Sequence, residues 1–146
     1  MEDRYLFKGK IKAKNTGYEE LDWVTGNLVV EQSTGRHYIV DLSYFGDDTK
    51  IQDVLIEVEP STICQCTGLE DKNGKLIWEN DIVFVTDEDE CTGGFDTGMG
   101  QIIFLKGLWY IDGRVQNGLY DVFDEGFNIE VIGNKFDNPE LLEAQE

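Results

Sequence analysis

The sequence predicts an all-β fold built from short antiparallel strands. Apolar residues recur with a period of two along most of the chain, and clusters of Gly, Asn and Asp interrupt these runs at short intervals. Only the last few residues have the pattern of a helix. Strands this short, with no helices between them, favour a barrel or a sandwich over an α/β sheet.

The size and composition suit one compact domain or two small lobes. The chain has 146 residues, of which 40% are hydrophobic and 12% aromatic, so it can bury a core. No apolar run approaches the roughly 18 residues that a membrane span needs, and the first residues do not have the pattern of a secretory leader. We therefore expect a soluble, cytoplasmic protein with no membrane partner.

The first strand has an unusual lysine face. From Tyr5 to Ala13, apolar residues alternate with lysines, so the lysines share one side of a strand. The lysine face consists of Lys8, Lys10, Lys12 and Lys14. One interpretation is edge protection, in which lysines discourage unwanted strand pairing. The other is a docking stripe for an acidic surface, which we expect to belong to another copy of this chain.

The rest of the N-terminal half alternates in the same way. Further strands are predicted over residues 23–31, 36–40 and 54–58. The first two of these form a hairpin, and Pro60 ends the third. This half therefore contributes four strands.

Turn residues divide the second half into short strands. They are predicted over residues 63–67, 76–78, 82–85, 102–105, 108–111, 119–123 and 129–132. The apolar run 82–85 is typical of a strand covered on both faces, and residues 86–100 form the longest loop. A short helix is predicted to begin at Asn138-Pro139. These strands are about enough for a small five-stranded barrel.

The charge is strongly acidic. The chain has 30 Asp and Glu against 12 Lys and Arg, which gives a net charge of -18. Such a surface repels phosphate, so we expect no direct nucleic-acid partner. Residues 1–14 are a local exception with a net charge of +3.

Residue types for catalysis or metal binding are sparse. His37 is the single histidine, and no Gly-x-Ser-x-Gly elbow occurs. Cys64, Cys66 and Cys91 are predicted to be reduced thiols; with His37 they could form a Cys₃His zinc set, but their spacing favours small buried hydrophobes and a loop thiol. The acidic segment 87–98 does not match the EF-hand pattern. We predict no catalytic residue, no metal and no cofactor, and hence no enzyme.

The stretch 67–83 resembles the YopX family, small proteins of phages and prophages. Three further stretches agree, in the right order: residues 4–10, residues 23–28, and residues 130–134 together with 138–142. The resemblance implies self-association and a C-terminal half similar to an SH3-type barrel, but no activity. On this basis, residues 1–60 are predicted to form an N-terminal β segment packed on the rest. Residues 61–146 are predicted to form an SH3-like β-barrel domain with a terminal helix.

The chain departs from the family pattern at two places. Cys64 and Cys66 stand where relatives usually have Gly and an aromatic residue, which puts a family-wide metal role for these thiols in doubt. Asn80 replaces a usual Gly, a mild change because Asn also tolerates a left-handed turn. The matching motif also has a plain structural interpretation, in which residues 71–74 turn the chain and Asp81 accepts hydrogen bonds at a corner.

The function predicted from these observations is that of a non-enzymatic phage or prophage accessory protein in the bacterial host cytoplasm. It would form homo-oligomers and bind a macromolecular partner from host or phage. The candidate contacts are the lysine face and Trp109, with Trp78 and Tyr110 as further aromatic candidates; core packing is the competing interpretation for each aromatic residue. Two alternatives are an acidic DNA mimic that inhibits a host DNA-binding protein and a metal-dependent hydrolase.

Overall fold

The structure, a computed structural model, describes residues 5–12, 23–41, 48, 50, 54–86, 98–113, 117–119 and 128–143. The chain divides into two compact units, Met1–Cys66 and Thr67–Glu146. The boundary between the units lies within a strand. It is a few residues after Pro60, where the sequence predicted the division between the two halves of the chain.

The first unit is an antiparallel sheet. Its strands are β1 (Phe7–Lys10), β2 (Trp23–Val30), β3 (His37–Val40), β4 (Leu55–Val58) and the beginning of β5 (Cys64–Glu70). They lie in the order β4-β3-β2-β1-β5, and Pro60–Thr62 form a 3₁₀ turn between β4 and β5. The strand β1 is therefore a middle strand, with Phe7 opposite Gly26 of β2 and Gln65 of β5.

The alternation of the sequence places the apolar residues of this sheet on one face. Val24, Ile39, Ile56 and Val58 form the buried cluster, and Phe7 packs against it. A side chain at Gly9 would meet Val58, because a Cβ built there lies 3.0 Å from the Val58 Cβ. The lysines alternate with these residues and lie on the other face.

The second unit contains a five-stranded sheet and a hairpin. Its remaining elements are β6 (Leu76–Trp78), β7 (Asp81–Thr86), β8 (Gly98–Leu105), β9 (Leu108–Gly113), β10 (Asn117–Gly118), β11 (Asn128–Asn134) and the helix α1 (Pro139–Glu143). The strands β5 and β6 are hydrogen-bonded neighbours, and the five-stranded sheet has the order β10-β9-β8-β7-β11. Its pairings are all antiparallel.

The predicted all-β class and the short C-terminal helix are confirmed. The predicted SH3-type barrel differs from the observed sheet, which is open: within the described residues it runs from β10 at one edge to β11 at the other and closes no barrel. The number and length of strands suggested closure, but closure depends on pairing between the two edge strands.

The core of the second unit lies on one face of its sheet. It consists of Ile77, Val83, Val85, Ile102, Ile111, Leu119 and Ile129. The prediction that residues 82–85 are covered on both faces is wrong at Phe84, which is 40% exposed. Ile82 is buried on the same side of β7, so the cover on that side does not extend along the whole strand.

Around residues 98 and 119 the observed elements differ from the predictions. The strand β8 begins at Gly98, so residues 98–100 belong to a strand and not to the predicted loop; residues 87–97 lie outside the described part. Of the predicted strand 119–123, only Leu119 is described, and it follows β10 without being part of a strand.

Candidate functional site

Two residues of the lysine face, Lys8 and Lys10, lie on a middle strand. Because β1 is paired with β2 on one side and β5 on the other, its lysines do not protect an edge, and that interpretation of the pattern is wrong. Lys8 and Lys10 share one side of β1, as predicted, because both lie over the Trp23 ring. Lys14 lies outside the described residues.

These lysines make contacts within the first unit. The Nζ atoms of Lys8 and Lys10 lie 4.8 and 5.4 Å from the centroid of the Trp23 ring, within the range of a cation–π interaction. The Lys12 Nζ lies 3.6 Å from the Glu57 carboxylate. Two of the lysines therefore share one aromatic ring, and the third is already paired with an acid.

Three residues of the possible Cys₃His set, His37, Cys64 and Cys66, are described. The Nδ1 atom of His37 lies 2.9 Å from the Gly35 carbonyl oxygen. Cys64 and Cys66 are buried, and the Cys64 thiol donates to the Thr62 carbonyl oxygen at 3.2 Å; Cys91 lies outside the described residues. Among the residues that the structure describes, no three His, Cys, Asp or Glu side chains come together in a way that could hold a metal ion. The interpretation of Cys64 and Cys66 as small buried hydrophobes is confirmed.

The Asp71 carboxylate organises the turn of the family-like motif. Its Oδ1 accepts hydrogen bonds from the backbone N–H groups of Asn73 and Lys75, both at 2.9 Å, and its Oδ2 accepts one from Val131 at 3.0 Å. Burial raises the pKa of Asp71, but the three N–H bonds and the Lys75 charge outweigh it and hold the pKa below its ordinary value.

The corner before β7 uses the other motif residues in the same way. Asp81 is 2% exposed, and its Oδ2 accepts a hydrogen bond from the Trp78 backbone N–H at 2.8 Å. Asn80 has a left-handed φ of 70° and accepts a side-chain bond from Gln101 at 3.0 Å. The motif therefore fixes backbone geometry, as its plain structural interpretation predicted.

Trp109 lines an apolar groove beside the β8–β9 hairpin. This hairpin groove has a volume of about 470 Å³, and the side chains that line it are uncharged. Its lining includes Leu69, Phe104, Leu108, Trp109, Tyr110 and Leu119. The rings of Phe104 and Trp109 meet edge to face, with centroids 4.8 Å apart.

The groove lies where the core of the second unit ends. Trp109 packs against the core, while Phe104 beside it is 51% exposed and Leu108 is 58% exposed. Trp109 and Tyr110 are predicted contacts from the sequence, whereas Phe104 and Leu108 are not among the predicted residues. The signal for both lies in the turn Lys106-Gly107, whose φ values of 51° and 81° make a tight hairpin between two apolar ends. The third aromatic candidate, Trp78, is buried.

The fold and these contacts define an antiparallel β protein whose motif acidic residues serve its architecture and whose second unit exposes an apolar groove. The chain belongs to the YopX family, because the family model described as YopX protein matches residues 12–143. The resemblance noted from the sequence is thereby confirmed. A search of curated proteins found no match. In the described part of the chain, no helix is both long and apolar enough to cross a membrane.

Proposed function

We propose that the protein is a non-enzymatic accessory protein of a phage or prophage, which acts in the bacterial cytoplasm by self-association and by binding a macromolecular partner. The observation that carries the proposal is the hairpin groove. Its Phe104 and Leu108 side chains are more than half exposed, and burying such a side chain contributes roughly 1.5–3 kcal/mol. Large apolar side chains grouped around a concave surface are typical of interaction sites.

Self-association is supported by the uneven charge. Residues 67–146 contain 18 acidic and 5 basic side chains, a net charge of -13, whereas residues 1–14 are basic. The lysine face of one copy would meet acidic surface of the second unit of another, because complementary charges steer and orient association. Such a contact weakens as salt is added.

Light scattering of the purified protein at low and high salt tests the self-association. We expect an oligomer whose mass falls towards the monomer at high salt, and a smaller oligomeric fraction for the double variant Lys8→Gln/Lys10→Gln. Lys50→Gln, at an exposed position outside the lysine face, is the matched control. A monomer at every salt and protein concentration would remove self-association from the proposal.

Partner binding through the groove has a closely matched pair of variants. Phe104 and Leu105 are neighbours with exposures of 51% and 49%, but they point to opposite faces of β8 and only Phe104 lines the groove. A partner identified by co-purification from phage-infected cells should bind Phe104→Ser at least about tenfold more weakly. Leu105→Ser should bind as the unchanged protein does; equal losses in both variants would place the partner elsewhere.

A further inference from the structure

The turn between β5 and β6 contains an Asn-Gly pair, Asn73-Gly74. Asparagine is most readily deamidated when glycine follows it, because glycine has no side chain to obstruct attack on the asparagine amide carbon. Both residues are exposed. Gly74 has a left-handed φ of 80°, and a Cβ built there would have no heavy atom within 4 Å beyond its chain neighbours. Water and base therefore reach this peptide group.

Deamidation at this pair needs only water. The Gly74 backbone nitrogen gives up its proton and attacks the Asn73 side-chain carbonyl carbon. The new C–N bond closes a cyclic imide, and the side-chain nitrogen takes up a proton and leaves as ammonia. Water then opens the ring at one of its two carbonyl groups. One opening gives aspartate, and the other gives isoaspartate, in which the main chain runs through the side chain and is one carbon longer.

The Asp71 turn, residues 71–75, binds the nitrogen that must attack. The Gly74 N–H donates to the Asp71 carbonyl oxygen at 3.0 Å, so its proton cannot leave without breaking that bond. The Asp71 carboxylate accepts the N–H groups of Asn73 and Lys75 on either side, both at 2.9 Å. These bonds fix the backbone around Gly74. The carboxylate charge also disfavours a second negative charge on the Gly74 nitrogen.

We propose that Asn73 is a deamidation site that the Asp71 turn keeps unreactive, so that opening of this turn sets the rate of modification. Surface turns open locally without unfolding of the whole domain. In the open turn, the Gly74 nitrogen no longer donates to Asp71 and can reach the Asn73 side chain. The site is separate from the groove and does not depend on partner binding.

Isoaspartate at position 73 would weaken the attachment of the turn to β11. The Lys72 N–H donates to the Ile129 carbonyl oxygen at 2.9 Å, and the Val131 N–H donates to the Asp71 carboxylate at 3.0 Å. A main chain that is one carbon longer within the turn cannot keep these two bonds and the bonds inside the turn together. The modification therefore converts a transient opening into a lasting loss of stability.

Peptide mass spectrometry of the full chain, incubated in mildly alkaline buffer, measures the reaction, and an isoaspartate-specific methyltransferase labels the isoaspartate product. Asn117-Gly118 is the other Asn-Gly pair of the sequence and serves as the internal standard. In urea, the two asparagines should deamidate at similar rates. In the folded protein, Asn73 should react at least about tenfold more slowly than in urea. Equal rates for Asn73 in the folded and unfolded protein would overturn the proposal.

A pair of variants separates opening of the turn from unfolding of the whole unit. Asp71→Asn removes the carboxylate and should accelerate deamidation of Asn73 about tenfold. Gly100→Ala is the matched control, because it crowds Ile111 at a position outside the turn, and it should accelerate the reaction much less. Urea unfolding shows that both variants are folded. An unchanged rate in Asp71→Asn, or equal acceleration in both variants, contradicts control by the turn.

The modified protein tests the consequence. The isoaspartate form, separated by ion exchange, should unfold at a lower urea concentration than the unmodified protein. Asn73→Asp has the same charge on an unaltered main chain, so it should unfold close to the unmodified protein. Equal losses in the two forms would assign the effect to charge and refute the part of the proposal that rests on the longer main chain.

Discussion

The Asp71 carboxylate and the Val131 backbone N–H are joined by a 3.0 Å hydrogen bond although 60 residues separate them in the sequence. The other oxygen of the same carboxylate holds the N–H groups of Asn73 and Lys75. One side chain thus shapes the turn between β5 and β6 and attaches that turn to β11. Asp71 is 7% exposed, so water cannot readily replace these bonds.

Replacing Asp71 by Asn should lower the free energy of unfolding by about 1–3 kcal/mol, because an amide NH₂ then faces a backbone N–H in a buried position. Urea unfolding measures the change. Asp112→Asn is the control, since Asp112 is an exposed carboxylate on β9, and it should change stability by less than about 0.5 kcal/mol. Equal effects of the two substitutions would contradict the role of Asp71.

The contribution of Asp71 should also depend on pH. Its pKa lies below the ordinary 3.8, so the folded state favours the charged form relative to the unfolded state. This stabilisation is fully present above the ordinary carboxyl pKa and is lost as the pH falls through the lowered, folded-state value. The difference in unfolding free energy between the unchanged protein and Asp71→Asn should therefore shrink below about pH 4. A constant difference across the acid range would argue against it.

Gly100 allows β8 to pack closely on Ile111. A Cβ built at Gly100 would lie 2.3 Å from the Ile111 Cγ2, and Ile111 is 1% exposed. Gly100→Ala should therefore destabilise the protein by about 1–3 kcal/mol, as overpacking does. Ile111→Leu removes the β-branch, so the double variant should lose less than the two single losses combined. Additive losses in urea unfolding would mean that this contact is not the cause.

The Trp23 ring should couple to the lysines above it. Lys10→Gln is expected to cost about 0.5–1 kcal/mol of unfolding free energy, and less when Trp23 is already replaced by Leu. Lys50→Gln should have the same small effect in both backgrounds. If the loss at Lys10 is unchanged in the Trp23→Leu protein, the stabilisation comes from another contact.

Local patterns predicted the strands well, because alternation and turn residues act over a few neighbouring positions. The segments 76–78 and 23–30 were recognised in this way. A continuous apolar run does not show whether another layer covers each face of a strand, so the 40% exposure of Phe84 was not predicted. A closed barrel was predicted in place of the open sheet because the number of strands does not determine whether the two edge strands pair.

The candidate site was predicted only in part. Lysines on alternate positions suggested an edge strand, whereas the pairing of Phe7 with Gln65 places them in the middle of a sheet. Residues paired in this way are far apart in the sequence, so no pattern among neighbouring positions predicts the pairing. Likewise, Trp109 was selected as an aromatic residue, but its neighbour Phe104 becomes part of a groove only after the hairpin brings β8 and β9 together.

The position of β1 determines how the chain can be shortened and synthesised. The ribosome makes β1 well before its second neighbour, β5, which begins only at Cys64, so a nascent chain carries an uncovered strand edge until that segment emerges. Deleting residues 1–12 would not trim the rim of the sheet. It would split the sheet between β2 and β5 and leave two strand edges with unpaired backbone groups. Such a deletion should therefore yield aggregates rather than a smaller soluble protein.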